Sequence, residues 1–234
     1  RASHAVFLRR QDEFRPEVEE AFGRRLDTSI LFGTGAPSFW PTAIVPAAIA
    51  AGNTVTQGAG VDIAADMSNV MAAVEADGYD PNAIVHRQDL RASFRNLRDT
   101  QNGLIFQPGN PGVRDAEYGM NGSSRDSSIW GIPSRSLMNG TFEAYNVATA
   151  NAAKAIVGDW DQAIFGVRSD ITMKIFDSGV VQDDTGAIVY NLIQQDMKVA
   201  RFTMRMAWAV PNPVNLTNET RATRYPFAVL RDAA

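Results

Sequence analysis

Catalysis needs reactive side chains, and this sequence is poor in them. It has 2 His, His4 and His86, and no Cys. Disulfides, thiolate metal sites and a Cys nucleophile are therefore excluded. Two imidazoles cannot furnish a His-rich metal centre. A Ser-His-Asp triad could draw only on His4 or His86. His86 closes the apolar run NAIVH, where a structural histidine is the expected reading. Gly33-Thr34-Gly35 lacks the third Gly of a dinucleotide loop, and a predicted helix precedes it where such a loop needs a strand. It reads as a helix stop and turn. No P-loop and no G-x-S-x-G elbow occurs. Asp183 and Asp184 are followed by Thr185 and Gly186. That is the chemistry of a hairpin turn rather than of a general acid–base pair, and it lacks the alternating ligands of a calcium loop. No enzymatic activity and no cofactor or metal is expected.

One cationic pattern stands out. Arg87, Arg91, Arg95 and Arg98 recur at helical spacing. They form a solvated helix face or a subunit interface, where Arg is enriched. Nucleic-acid contact is the least favoured reading, because the chain is net −4 and phosphate binding normally needs a basic excess. Sequons at Asn121, Asn139, Asn215 and Asn218 read as coincidental.

These residues must be positioned by predicted elements. Arg15 to Phe32 reads as a helix: Pro16 suits its first turn, Val18, Phe22 and Leu26 repeat every four residues, and Gly33 stops it. Glu17, Glu19 and Glu20 sit at the positive end of its dipole. A turn-rich connector, Gly33 to Pro41, leads into IVPAAIAAGNTV. In Val61 to Ala76, Ile63, Met67, Val70, Met71 and Val74 mark one face of a 3.6-residue period. Asn82 to His86 is a short buried strand. Asp89 can cap a helix to about Asp99, with Leu90, Phe94 and Leu97 inward. Gln107 to Ser128 is a long polar loop, expected to be mobile. Ile129 to Met138 reads as a strand broken at Pro133. Ala152 to Trp160, Ala163 to Arg168 and Ile171 to Phe176 are further strands. A hairpin spans Val180 to Val189, Met197 to Val210 alternates in part, and Tyr225 to Leu230 is a last strand. Helices first and strands after favour an α+β fold.

The chain has 234 residues, 45% hydrophobic and 21% charged, an ordinary globular balance. A chain of this size buries about 70% of its unfolded surface. Its longest apolar stretch, Thr42 to Ala51, is interrupted by Pro46 and falls well short of the ~18 residues of a membrane span, so no membrane partner is expected.

Five segments, in this order, resemble the major capsid proteins of tailed phages, the Hong Kong 97-type family. They are RRLDTSILFGTGAPSFWPTAIV (Arg24 to Val45), the stretch ending in DLRASFRNLRD (Asp89 to Asp99), IWGIPSRSL (Ile129 to Leu137), AIVGDWDQAIFGVRSDITMKIFD (Ala155 to Asp177) and NLIQQDMKVARFTMRMAWAV (Asn191 to Val210). The resemblance covers roughly Phe14 to Leu230. It implies a peripheral part with a spine helix and long sheet (residues 1–38 and 178–205). It also implies an axial α+β part (39–177), completed by final strands in 206–234. Family members carry an N-terminal arm and a projecting hairpin before the spine helix, so a longer gene product than one opening at Arg1 is expected.

The implied function is a shell of hexamers and pentamers, assembled in the bacterial cytoplasm and enclosing double-stranded DNA without sequence-specific contact. Scaffolding, portal and decoration proteins are the implied partners. An encapsulin-like compartment with protein cargo is the alternative. A small hydrolase would need a cleft with a perturbed titratable group, against which the residue inventory argues. Some members cross-link subunits through a Lys–Asn isopeptide bond assisted by Glu. Here Asp196 falls where that Asn would lie and Thr203 where the Glu would lie. A register slip to Asn191 would call for an acid near Lys198, where there is none. Self-cross-linking is therefore not expected.

Overall fold

The computed structural model describes residues 17–98, 102, 127–137, 140–142 and 152–232. His4, Asn121, Asn139 and the expected loop from 107 to 126 lie outside the described residues, as does the start of the first predicted helix. Residues 127 and 128, placed in that loop by the sequence reading, begin a strand.

Helix α1 covers residues 17–27 and continues as a π-helical turn, Thr28–Phe32. Val18, Phe22 and Leu26 are its less exposed side, as their spacing predicts. The widened turn coincides with a side-chain bond from Thr28 Oγ1 to the Arg24 carbonyl, 2.7 Å, the back-bonding that bends helices. Gly33 ends the helix at φ 81°, its N–H donating to the Ser29 carbonyl, a conformation nearly free for Gly alone.

The remaining helices are α2 (Ile44–Ala51), α3 (Ile63–Ala76) and α4 (Leu90–Arg95). Strands β1 (Thr54–Thr56), β2 (Ala83–Arg87), β3 (Ser127–Ile129), β4 (Ile132–Leu137), β5 (Ala155–Gly158) and β10 (Phe227–Arg231) form one mixed sheet. Its order is β1-β10-β5-β2-β4-β3. The β1/β10 and β2/β4 pairs are parallel and the others antiparallel. Helix α3 packs on β1, β5, β10 and α4. Its predicted stripe, Ile63, Met67, Val70, Met71 and Val74, is buried throughout against Ile84, Leu90, Phe94, Val157 and Leu230. Each such burial is worth roughly 1.5–3 kcal/mol before ordering entropy is set against it. Asp62 starts α3 by accepting the Ala65 N–H at 2.8 Å. Strands β5 and β10 are buried along AIVG and FAVL, the continuous apolar runs of strands covered on both faces.

Three local expectations need correction. Helix α4 stops at Arg95, and Asp89 does not cap it, because its carboxylate is drawn to Arg87 instead. The break in IWGIPSRSL falls at Trp130–Gly131 rather than Pro133: both residues have positive φ, 50° and 80°, the requirement of a tight two-residue hairpin turn. Pro133 lies inside β4, opposite Ser128. Finally, Ala163 to Arg168 and Ile171 to Phe176 are one strand, β6 (Ile164–Phe176), irregular between Val167 and Thr172. The bulge absorbs the polar residues that read as a break.

Strand β6 pairs antiparallel with β9 (Val199–Ala209), and β7 (Val180–Gln182) with β8 (Ile188–Asn191). The β7–β8 turn is built as DDTG predicts. The Asp183 carboxylate accepts the Thr185 hydroxyl (2.6 Å) and the Thr185 and Ala187 N–H groups (2.9 and 3.0 Å). Those bonds hold it below the ordinary carboxylate range.

By compactness the chain forms two units, residues 1–163 with 211–234, and 164–210. The segments implied by resemblance are divided instead by role in a shell. The two divisions differ over residues 17–38, which group with the first unit, and over β6 and residues 206–210, which group with the second.

The returning segment after Ala209 is fixed to the first unit by a buried polar cluster. Asp77 accepts from Asn53 Nδ2 (2.7 Å), Asn218 Nδ2 (2.8 Å) and the Tyr225 N–H (2.9 Å). Arg224 is fully buried and donates to Asn212 Oδ1 (3.0 Å) and to the Asn212 and Asn218 carbonyls. Tyr79 donates to the same Asn212 Oδ1, 2.9 Å. Asn215 donates to the Asp77 carbonyl, 2.7 Å. The sequons at Asn215 and Asn218 are thus parts of this cluster, built from residue types that satisfy buried donors and acceptors.

Candidate interaction surface

The predicted Arg series does not form one stripe. Arg87 is on β2, and its guanidinium donates to Asp89 Oδ1 (2.9 Å) and Oδ2 (2.5 Å) and to Asp232 Oδ2 (2.7 Å). Lys154 joins the network at 3.6 Å from Asp89 and 3.7 Å from Asp232, and donates to Gln57 Oε1 at 2.7 Å. Two cations and two carboxylates thereby tie β2, the approach to β5, the start of α4 and the end of β10 into a neutral group. The bonds to Asp89 and Asp232 push the Arg87 pKa further up. Burial raises that of Asp89, but the bonds from Arg87 and Lys154 outweigh it and hold the carboxyl below its ordinary value. Arg91 is half-buried, while Arg95 and Arg98 are exposed.

His86 is fully buried on β2. Its Nδ1 lies 2.8 Å from the Arg87 carbonyl, which can only accept, so Nδ1 carries the proton. Burial holds its pKa below the ordinary value. A ring with no exposed surface meets no substrate, so the structural reading holds. No group of three or more His, Asp or Glu poised for a metal ion occurs among the described residues, and no helix is long and apolar enough to cross a membrane.

The surface that asks for a partner is the β6–β9 ribbon. Directly opposed residues of an antiparallel pair share a face. Phe165/Trp208, Val167/Met206, Met173/Phe202 and Ile175/Ala200 are such pairs, and Met204 joins them by alternation along β9. This makes one long apolar face. On β6 it stays open: Phe165 is 51% exposed, Val167 58%, Met173 43% and Ile175 43%. The β7–β8 hairpin adds exposed Val180, Ile188, Val189 and Tyr190. A two-stranded ribbon is marginal alone in water. Contiguous exposed apolar surface of this kind marks interaction sites.

The opposite face carries Thr172 and Lys174 from β6 and Arg201, Thr203 and Arg205 from β9. Thr203 thus stands among cations, with the Thr172 hydroxyl donating to its carbonyl at 3.2 Å. Asp196 lies at the end of the turn before β9 with φ 49°. Local sequence spacing does not reveal this cationic face. Arg201, Thr203 and Arg205 alternate visibly, but nothing in the sequence shows that Lys174 pairs with Arg201.

The sequence matches the model of the phage capsid family over residues 8–216. No curated protein matches it significantly. Among solved structures it is similar to a chain from Microbacterium phage Oxtober96, with 31% identity and a TM-score of 0.74 over 95% of this chain and 66% of that one. It is also similar to a chain from Mycobacterium phage Bobi, with 28% identity and a TM-score of 0.68 over 92% and 62%. A structure described as the capsid of an empty GTA particle shares the fold at 15% identity, with a TM-score of 0.57 over 96% and 66%. The chain thus spans about two thirds of the length of these relatives, or less. Its α+β fold is the Hong Kong 97-type fold that the ordered segments imply. With the match running from residue 8 to residue 216, the chain belongs to the phage capsid family.

Proposed function

We propose that the chain is the major capsid protein of a tailed phage or prophage. Its role is geometric rather than catalytic: copies assemble into hexamers and pentamers of a closed icosahedral shell around double-stranded DNA. The observation that carries this reading, beside family membership, is the exposed apolar face of β6 in the β6–β9 ribbon. A closed shell requires repeated heterologous contacts, and obligate interfaces often bury ~2,000 Å² or more, largely apolar. The exposed apolar side chains of β6 supply such a surface.

In this reading α1 is the spine helix, and residues 178–205 belong to the peripheral sheet. Residues 39–177, with 206–234, make the axial part. Arg95 and Arg98 remain available to an interface, while Arg87 serves the subunit itself. Assembly occurs in the host bacterial cytoplasm and the product is the virion capsid. Scaffolding, portal and decoration proteins are further partners. The DNA is enclosed without sequence-specific contact. The test is the content of particles recovered from cells that carry the gene in its natural neighbourhood. Nuclease-protected duplex DNA is the expected content. Particles filled with a single protein cargo and no DNA would replace this reading with the encapsulin-like one.

A further inference from the structure

The cationic face of the ribbon carries charge that no described side chain compensates. Lys174 stands directly opposite Arg201 across the ladder, and Thr172 opposite Thr203. With Arg168 and Arg205 they line a shallow depression of about 210 Å³. Among the described residues no carboxylate lines it, and none of its four cations enters an ion pair. Arg201 lies over the Phe176 ring, 5.1 Å from its centroid, which orients the guanidinium without neutralising it. Like charges directly opposed on a sheet are destabilising, so the isolated subunit is strained electrostatically here. The chain as a whole is net −4, with 26 acidic and 22 basic side chains, so its acidic excess lies elsewhere in the sequence.

We infer that this face is an electrostatic dock for carboxylates of a second copy of the chain, formed between neighbouring subunits. The inference rests on the shell reading, because repeated heterologous contact is what brings one copy's acidic surface onto the next copy's ribbon. Guanidinium groups bind carboxylates through paired hydrogen bonds, and the Thr203 hydroxyl adds a neutral donor. Duplex DNA fits less well, because approach to a net-negative subunit is repulsive beyond the depression itself. Charge complementarity of this kind fixes register and excludes wrong neighbours more than it adds affinity.

Two measurements test the dock in the full-length protein. In the first, benzoylphenylalanine replaces Thr203, and light and heavy isotope-labelled subunits are mixed before assembly and irradiation. Cross-links between light and heavy copies, on peptides containing Asp or Glu, are expected. Cross-links confined to one copy, or reaching only DNA, would overturn the inference. In the second, Lys174→Gln with Arg201→Gln should raise the subunit concentration at half-assembly by about tenfold and flatten its salt dependence. The thermal midpoint of dissociated subunits should hold or rise, since a repulsion has been removed. Assembly indifferent to the substitutions and to salt would overturn the dock while leaving the shell reading intact. Wild-type chains that form no particles would overturn both.

Discussion

Asp77→Ala should destabilise the first unit by about 3 kcal/mol. The carboxylate accepts two buried donors, from Asn53 and the Tyr225 backbone, at 2.7 and 2.9 Å, and a half-buried one from Asn218 at 2.8 Å. A hydrogen bond to a charged group contributes roughly 1.5–3 kcal/mol, and a stranded buried donor costs about 1–3 kcal/mol. The losses do not simply add, because two donors have fallbacks. Asn53 can keep its bond to the Tyr225 carbonyl at 3.0 Å, and Asn218 lies 3.4 Å from Thr223 Oγ1. The Tyr225 N–H, which donates to Asp77 Oδ2, takes most of the penalty. Asp77→Asn retains one oxygen but turns an amide toward a donor, so about half the loss is expected. The assay is hydrogen exchange followed by mass spectrometry on the peptide containing β10, which reads the first unit separately from residues 164–210. A loss of about 3 kcal/mol corresponds to roughly 100-fold faster exchange by global opening. A change below fivefold in Asp77→Ala would refute the reasoning. So would an Asp77→Asn effect as large as that of Ala.

Other outcomes follow from the same geometry. Gly158→Ala should be strongly destabilising, by about 2 kcal/mol or more, since a Cβ there would meet Phe227 Cδ1 at 2.3 Å and the Pro226 carbonyl at 2.5 Å; a urea midpoint equal to wild type would contradict this. His86 is held neutral by burial, with its folded-state pKa below the ordinary 6.5. Its contribution is complete above pH 6.5 and is lost as pH falls below that value. Asp89, also depressed, acts only near and below 3.8, so urea midpoints at pH 8 and pH 5.5 should differ less in His86→Gln than in wild type. Equal differences would dismiss the histidine. Boiled, denatured particles should run as single subunits, because Asp196 presents a poor acyl acceptor and Thr203 no base near neutral pH; a ladder of covalent multimers would show otherwise.

Much of this was legible from residue types alone. The α3 stripe, Gly33 as a helix stop and the DDTG turn were readable because each depends on contacts within a few residues. The β6 bulge was not. Ser169 and Asp170 look like a break unless the β9 partner that continues across them is known. The Asp77 cluster was equally hidden, since Asn53, Asp77, Asn218 and Tyr225 are far apart in sequence. The Arg series misled because spacing reports a shared face only within one element. Arg87 belongs to β2 and is claimed by Asp89 and Asp232. The cationic face of the ribbon needed the β6–β9 register, which a single sequence does not encode locally.

The central claim is that this chain builds closed shells, and electron cryo-microscopy of particles purified from cells expressing the full-length gene tests it most directly. Closed icosahedral particles with fivefold and sixfold capsomers are expected, in which the apolar face of β6 is covered by protein. A monodisperse monomer at high concentration, with Phe165, Val167, Met173 and Ile175 still open to solvent, would contradict it.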